Sequence, residues 1–314
     1  MCSRLGFGFD VREAERVGLQ GTQPNSPFMK FLLITLSFFA ALSCAIGKKE
    51  SDQTLTFFGW SDQHVKTDGN VSKLLPFVEA MNEMPGTAFH EKVGGKVPEP
   101  SFVIGAGDVT EWPTNAAMRA YDGLLKNRLK WKAYDVLGNH DDGGRAFSPT
   151  MINWSKKRHG GLSYVFEAAG VKFIALWTKF DPRGKPFQPL SKETLGYLRE
   201  QLAKTPEEQP VVLFTHLCHD AMTNRDELVE TVGKANVILV LGGHYHYSSV
   251  NKYRGLNFVQ LPSPKSKYTE FTVLRISSDR LLAMPYDFVK KEWLKGSRKV
   301  LDVAITRSAK VSPK

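Results

Sequence analysis

The chain has 314 residues, 42% hydrophobic and 24% charged, ordinary values for a soluble globular protein with one large core or two small ones. Its net charge of +10 by itself points to a polyanionic partner, but residues 288–314 carry eight Lys or Arg against two acids, so the body is only mildly basic and nucleic acid is disfavoured as a partner. Three cysteines, Cys2, Cys44 and Cys218, lack the spacing of a structural zinc site or a redox pair, and no disulfide framework is expected.

Residues 1–28 show neither apolar periodicity nor turn logic, and we read them as a doubtful extension ahead of the true start. Met29-Lys30 then opens an apolar run over residues 31–46, followed by Gly47-Lys48-Lys49. A bilayer span needs about 20 apolar residues, so residues 29–47 read as a secretory signal peptide, with a membrane anchor as the alternative. Ser43-Cys44-Ala45 supplies small residues for cleavage. Ala41-Leu42-Ser43-Cys44 resembles a lipoprotein box whose leucine sits one position too close to Cys44. The chain is therefore expected to be exported, to periplasm, envelope or exterior.

After this leader, short apolar runs alternate with stretches at helical spacing, the pattern of an α/β domain with buried strands. Strands are expected at 54–60, 101–106 and 132–137, a hairpin at 162–167 and 171–177 around Ala169-Gly170, and strands at 211–215 and 237–241. Final strands at 256–261, 268–276 and 280–287 read as antiparallel. Helices are expected near 71–82, 115–126, 191–204 and 221–234. The domain is drawn at 52–288, with 289–314 as a solvated basic tail.

Ligands in open α/β sheets sit at the carboxyl ends of strands, and five predicted strands end in metal-ligand residue types. These are Asp62-Gln63-His64, Gly107-Asp108, Gly138-Asn139-His140-Asp141, His216, and Gly243-His244-Tyr245-His246. Each alone is more often a turn former or helix cap. Together they take five of the eight histidines, which chance explains poorly. Glycines before Asp108, Asn139 and His244 are expected to permit sharp turns. Imidazoles, carboxylates and one amide without thiolate suit Mn, Fe or Zn. Two such ions would stabilise the attacking and leaving oxygens of a displacement at phosphorus, with Asp108 the natural bridging carboxylate.

The blocks DxH, GD, GNHD, a lone His and GHxH, in this order over residues 57–249, resemble those of the calcineurin-like metallophosphoesterase superfamily. The resemblance implies a four-layer αββα sandwich of mixed sheets flanked by helices, and a hydrolase of phosphate esters in which a hydroxide activated by two divalent ions attacks phosphorus. By position, Asp62, His64 and His246 would bind one ion, and Asn139, His216 and His244 the other, with Asp108 bridging. His140 would assist the leaving oxygen, and Asp141 would orient or tune it.

Departures from the pattern narrow the choice. Gly107-Asp108-Val109-Thr110-Glu111-Trp112 lacks the arginine of the protein phosphatases, and His64 and Glu111 depart from the purple acid phosphatases. What remains resembles phosphodiesterase and pyrophosphatase-like members acting on small diesters or monoesters. A nuclease of the same superfamily and a non-catalytic metal-binding envelope protein are the rivals; the intact His140-Asp141 pair weighs against the latter. Arg183 and Lys185 are second-tier phosphate contacts. Trp60, Trp112 and Tyr245 read equally as core or as stacking surfaces, His219 is left out of the site, and Cys218 is expected to be buried and inert.

Overall fold

A computed structural model describes residues 54–305, apart from 145, 146, 184 and 266. The expected leader (29–47) and the extension before it lie outside the described residues. Along the chain come β1 (Leu55–Trp60), α1 (Leu75–Glu83), β2 (Val103–Ala106), α2 (Asn115–Asn127), β3 (Ala133–Val136) and α3 (Thr150–His159). Next are β4 (Tyr164–Ala168), β5 (Val171–Leu176), α4 (Lys192–Ala203), β6 (Val211–Leu217), α5 (Arg225–Val232) and β7 (Val237–Gly243). The remainder is all strand: β8 (Ser249–Tyr253), β9 (Leu256–Gln260), β10 (Glu270–Ile276), β11 (Arg280–Asp287), β12 (Glu292–Trp293) and β13 (Leu301–Ala304).

These strands form two mixed sheets. The first has the order β12-β11-β10-β1-β2-β3, with β13 also on β11, and the second β4-β5-β6-β7-β9-β8. Their facing sides bury Phe57, Ile104, Val136 and Leu274 from the first sheet against Phe173, Phe214, Leu241 and Val259 from the second. Helices α1, α2 and α3 cover the outer face of the first sheet through Val78, Met81, Tyr121 and Met151. Helices α4 and α5 cover that of the second through Leu198 and Leu228. The result is an αββα sandwich. Strands β1, β5, β6 and β7 are buried along their whole length, as expected where both faces of a sheet are covered. The Ala169-Gly170 turn has φ of 48° and 75°, the positive pair that a tight hairpin requires.

Several expectations are corrected. Strand β9 does not join β10 and β11: it lies in the second sheet, parallel to β7 and antiparallel to β8, whereas β10 and β11 pair antiparallel in the first. Helix α3 has no counterpart in the expected elements. Residues 289–305 are not a solvated tail, because β12 and β13 both pair with β11 and bury Trp293 and Leu301. The apolar anchors of that segment are isolated among lysines, so a run-based reading misses them.

Candidate metal centre

Strands β1, β2 and β3 are parallel neighbours in the first sheet, and β6 and β7 in the second. Their carboxyl ends therefore meet along one edge of the sandwich. That edge gathers three overlapping groups: Asp62, His64 and His246; His64, Asp108 and His140; and Asp108, His216 and His244. Asp108 Oδ2 is central, 3.3 Å from His216 Nε2, 3.6 Å from His64 Nε2 and 4.0 Å from His140 Nε2. Asn139 Oδ1 lies 3.1 Å from His216 Nε2. Every metal or catalytic residue singled out from the sequence thus reaches this edge, Asp141 through hydrogen bonds alone.

The backbone is bent to bring these side chains together. Asp62, His64, Asp108, His244 and His246 have φ of 52°, 46°, 53°, 80° and 64°, a left-handed region that costs a non-glycine residue about 1–2 kcal/mol. The expected role of the glycines is corrected here. Only Gly107, with φ of 87°, supplies a conformation other residues avoid. Gly138 and Gly243 provide space instead: a methyl on Gly138 would strike the Asp108 backbone N and carboxylate, and one on Gly243 would lie 2.6 Å from Asp62 Oδ2.

Backbone carbonyls set the imidazoles. His216 Nδ1 faces Ala106 O at 2.9 Å, His244 Nε2 faces Pro186 O at 2.9 Å, and His140 Nδ1 faces Glu111 O at 2.8 Å. A carbonyl only accepts, so each of these nitrogens carries a proton, and it is the opposite ring nitrogen that faces the centre and would serve as ligand once free of its own proton. Ser61 Oγ and the His244 N–H donate to Asp62 Oδ2 at 2.6 and 2.9 Å, while the buried Asp62 Oδ1 has no hydrogen bond. Lone pairs converging on buried carboxylates are a donor set that a divalent cation fits.

Electrostatics agree. Burial and the neighbouring charge of His216 depress His244 to about 4, and burial depresses His64 to about 4, so both are neutral ligand types at neutral pH. Burial pushes His216 down, but Asp108 and Asp62 more than offset it and hold it at about 9. His216 therefore keeps its proton until a cation replaces it. Burial raises Asp62 and Asp108, yet the surrounding imidazoles leave both below the usual carboxylate range.

The expected pairing of Asp141 with His140 is not formed. Asp141 accepts from the N–H groups of Val109, Thr110 and Gly138 at 3.0, 2.8 and 2.9 Å and from Thr110 Oγ1 at 2.9 Å. It ties the second block to the third, and the Glu111 carbonyl orients His140. Burial and the Asp108 charge raise Asp141 to about 7 despite those donors. The Trp112 ring, 46% exposed, tilts against His140 at 4.9 Å. Arg183 pairs with Asp181. Ser61, Thr110 and Ser263, whose Oγ donates to Asp62 O at 2.7 Å, escaped the sequence reading. Ser61 was detectable from its place beside Asp62, whereas Ser263 lies 201 residues away and carries no local signal.

A probable glycerophosphodiester phosphodiesterase from Arcobacter nitrofigilis is 28% identical over 219 residues, 65% of this chain and 76% of that relative. A probable cyclic nucleotide phosphodiesterase from Rhodopseudomonas palustris is 27% identical over 184 residues, 53% of this chain and 64% of the other. In sequence this chain is similar to phosphodiesterases. Its fold is similar to that of the Plasmodium inner-membrane-complex anchor GAP50, at a TM-score of 0.57 and 13% identity over 81% of this chain and 89% of that one. No family model matches this chain.

Proposed function

We propose that the protein is a phosphodiesterase for small substrates that works with two divalent cations. The observation that carries this reading is the position of Asp108 Oδ2 between two histidine groups, supported by the names of both relatives. Asp62, His64 and His246 would hold one cation and Asn139, His216 and His244 the second, with Asp108 shared. The nitrogen and oxygen donors suit Mn, Fe or Zn. When bound, the pair would activate a water and offset charge on the phosphoryl oxygens.

The chain's own residues do the rest. His140 keeps its Nδ1 proton on the Glu111 carbonyl, 2.8 Å away, so that Nε2 faces the centre; with a second proton on Nε2 the ring can give that proton to the departing alkoxide and return to its neutral form. Trp112 tilts against that ring at 4.9 Å and helps to fix its orientation. Asp141 is a positioning residue: its four acceptor contacts hold the Gly138-Asn139 turn against Val109-Thr110.

The test is hydrolysis of bis(4-nitrophenyl) phosphate and 4-nitrophenyl phosphate by metal-stripped protein resupplied with Mn, Zn or Fe, for the wild type and Asp108→Ala. Metal-restored turnover favouring the diester, reduced by at least 10³-fold in the variant, is expected, since each 1.36 kcal/mol of lost transition-state stabilisation is tenfold in rate. Binding of two ions without turnover on any ester would instead favour the non-catalytic envelope protein. Export through the segment starting at Met29 is part of the same proposal, and protein confined to the cytoplasmic fraction with an uncleaved start at residue 1 would refute it.

A further inference from the structure

The loop after β9 brings an additional cation to the edge of the centre. Lys265 is half-buried in the wall of a cavity of about 100 Å³ shared with His64, Lys66, Asn70, Ser72 and Lys73. About 10–15 Å³ of such space holds one water, so the cavity has room for a polyatomic ion. No Asp or Glu lines it. Lys66 already pairs with Glu111, but the ammonium groups of Lys73 and Lys265 have no hydrogen-bond or ion-pair partner among the described residues. Helix α1 starts beside this wall with no side-chain cap and no acid in its first turn, which adds partial positive charge.

Lys265 is held in place from below. The fully buried Ser263 donates its hydroxyl to Asp62 O at 2.7 Å and accepts the Lys265 N–H at 3.0 Å. The Ser61 N–H donates to Pro262 O at 3.0 Å. The backbone carrying Lys265 is thus fastened to the strand end that carries Asp62. Lys265 acts electrostatically on Glu111, which already pairs with Lys66, so its half-buried ammonium has no ion pair of its own to replace lost hydration, and a lysine so placed binds a phosphoryl oxygen as a point charge with three donors.

We propose that this cavity is an oxyanion subsite that holds a phosphoryl group other than the one being cleaved, carried on the substrate or free as inorganic phosphate. That a substrate group fills it rests on the phosphoesterase reading; that it binds an oxyanion does not.

Calorimetric titration of inorganic phosphate and pyrophosphate into metal-stripped and Zn-loaded protein tests it, with thermal melting to check that each variant folds. Lys265→Ala is expected to weaken pyrophosphate binding to the stripped protein by about tenfold or more, the scale of one charge-assisted hydrogen bond. Lys73→Ala should weaken it less, and Lys265→Arg should retain most of it. Wild-type affinity in both alanine variants, or no binding by the stripped wild type, overturns the proposal. The two sources separate by the KM ratio of a nucleoside diphosphate ester to bis(4-nitrophenyl) phosphate. A tenfold rise in Lys265→Ala assigns the phosphoryl group to the substrate, and an unchanged ratio with weakened phosphate binding assigns free phosphate. Calorimetry needs no turnover, so a protein that hydrolyses neither ester still passes or fails this test.

Discussion

Gly243→Ala should damage the candidate metal centre although the residue replaced has no side chain to offer a cation. A methyl there would lie 2.6 Å from Asp62 Oδ2 and 2.7 Å from both Ser61 Cβ and Ser61 Oγ. Ser61 and Asp62 are both fully buried, and Ser61 Cβ cannot move without its backbone. Overpacking of this kind costs about 1–3 kcal/mol. Displacing Asp62 also strains its hydrogen bonds from Ser61 Oγ and His244 N–H, at 2.6 and 2.9 Å, each worth about 1.5–3 kcal/mol for a charged acceptor. Taken together, a loss of about 2–5 kcal/mol is expected. At about 2–4 °C per kcal/mol for a domain of this size, Tm should fall by roughly 5–15 °C. Mn²⁺ affinity, measured by titration, should fall about tenfold or more, because Asp62 no longer sits among the imidazoles. Gly196→Ala is the contrast: it lies within α4 with nothing within 4 Å of the added carbon, and should raise stability by about 0.5–1 kcal/mol. If Gly243→Ala melts and binds Mn²⁺ as the wild type does, the close-approach role of this glycine is wrong.

Two further outcomes follow from groups away from the candidate metal centre. Burial raises Asp135 from 3.8 to about 6, and Tyr121 OH donates to it at 2.7 Å. An acid whose folded pKa is raised contributes stability that is present below about pH 4 and is lost as pH rises through about 6. At 1.36 kcal/mol per tenfold this loss is roughly 3 kcal/mol. Urea midpoints between pH 4 and 8 should show that slope in the wild type and a flatter one in Asp135→Asn; parallel curves would refute it. Cys218 is buried and its thiol is pushed up to about 12 by desolvation. Peptide mapping after iodoacetamide treatment at pH 8 should find Cys218 unmodified in native protein and modified in urea, and native labelling would show that the loop after β6 opens.

The ligand blocks were legible because each follows directly on an apolar strand, where the chain must turn and where parallel strands in one sheet bring their ends together. Asp62, Asp108, Asn139 and His244 could be placed for that reason. Helix α3 was missed because only Met151, Trp154 and Ser155 of its ten residues are buried, too few to impose an apolar period. Strands β8 and β13 lie at or near sheet margins, with mostly half-exposed or exposed residues, and lack an apolar run for the same reason.

Sequence by itself determined the layered α/β class, the order of the strands that carry ligands, and the nitrogen and oxygen chemistry of the site, because these depend on local periodicity and on residue type at strand ends. Only the tertiary structure decided what depends on distance across the sandwich. It turned Asp141 away from His140 and onto Thr110, gave the orientation of His140 to a backbone carbonyl, made Gly138 and Gly243 matters of space, and set Lys265 beside His64. Such contacts join segments up to 201 residues apart, and no local pattern encodes which partner a side chain meets once two sheets close on each other.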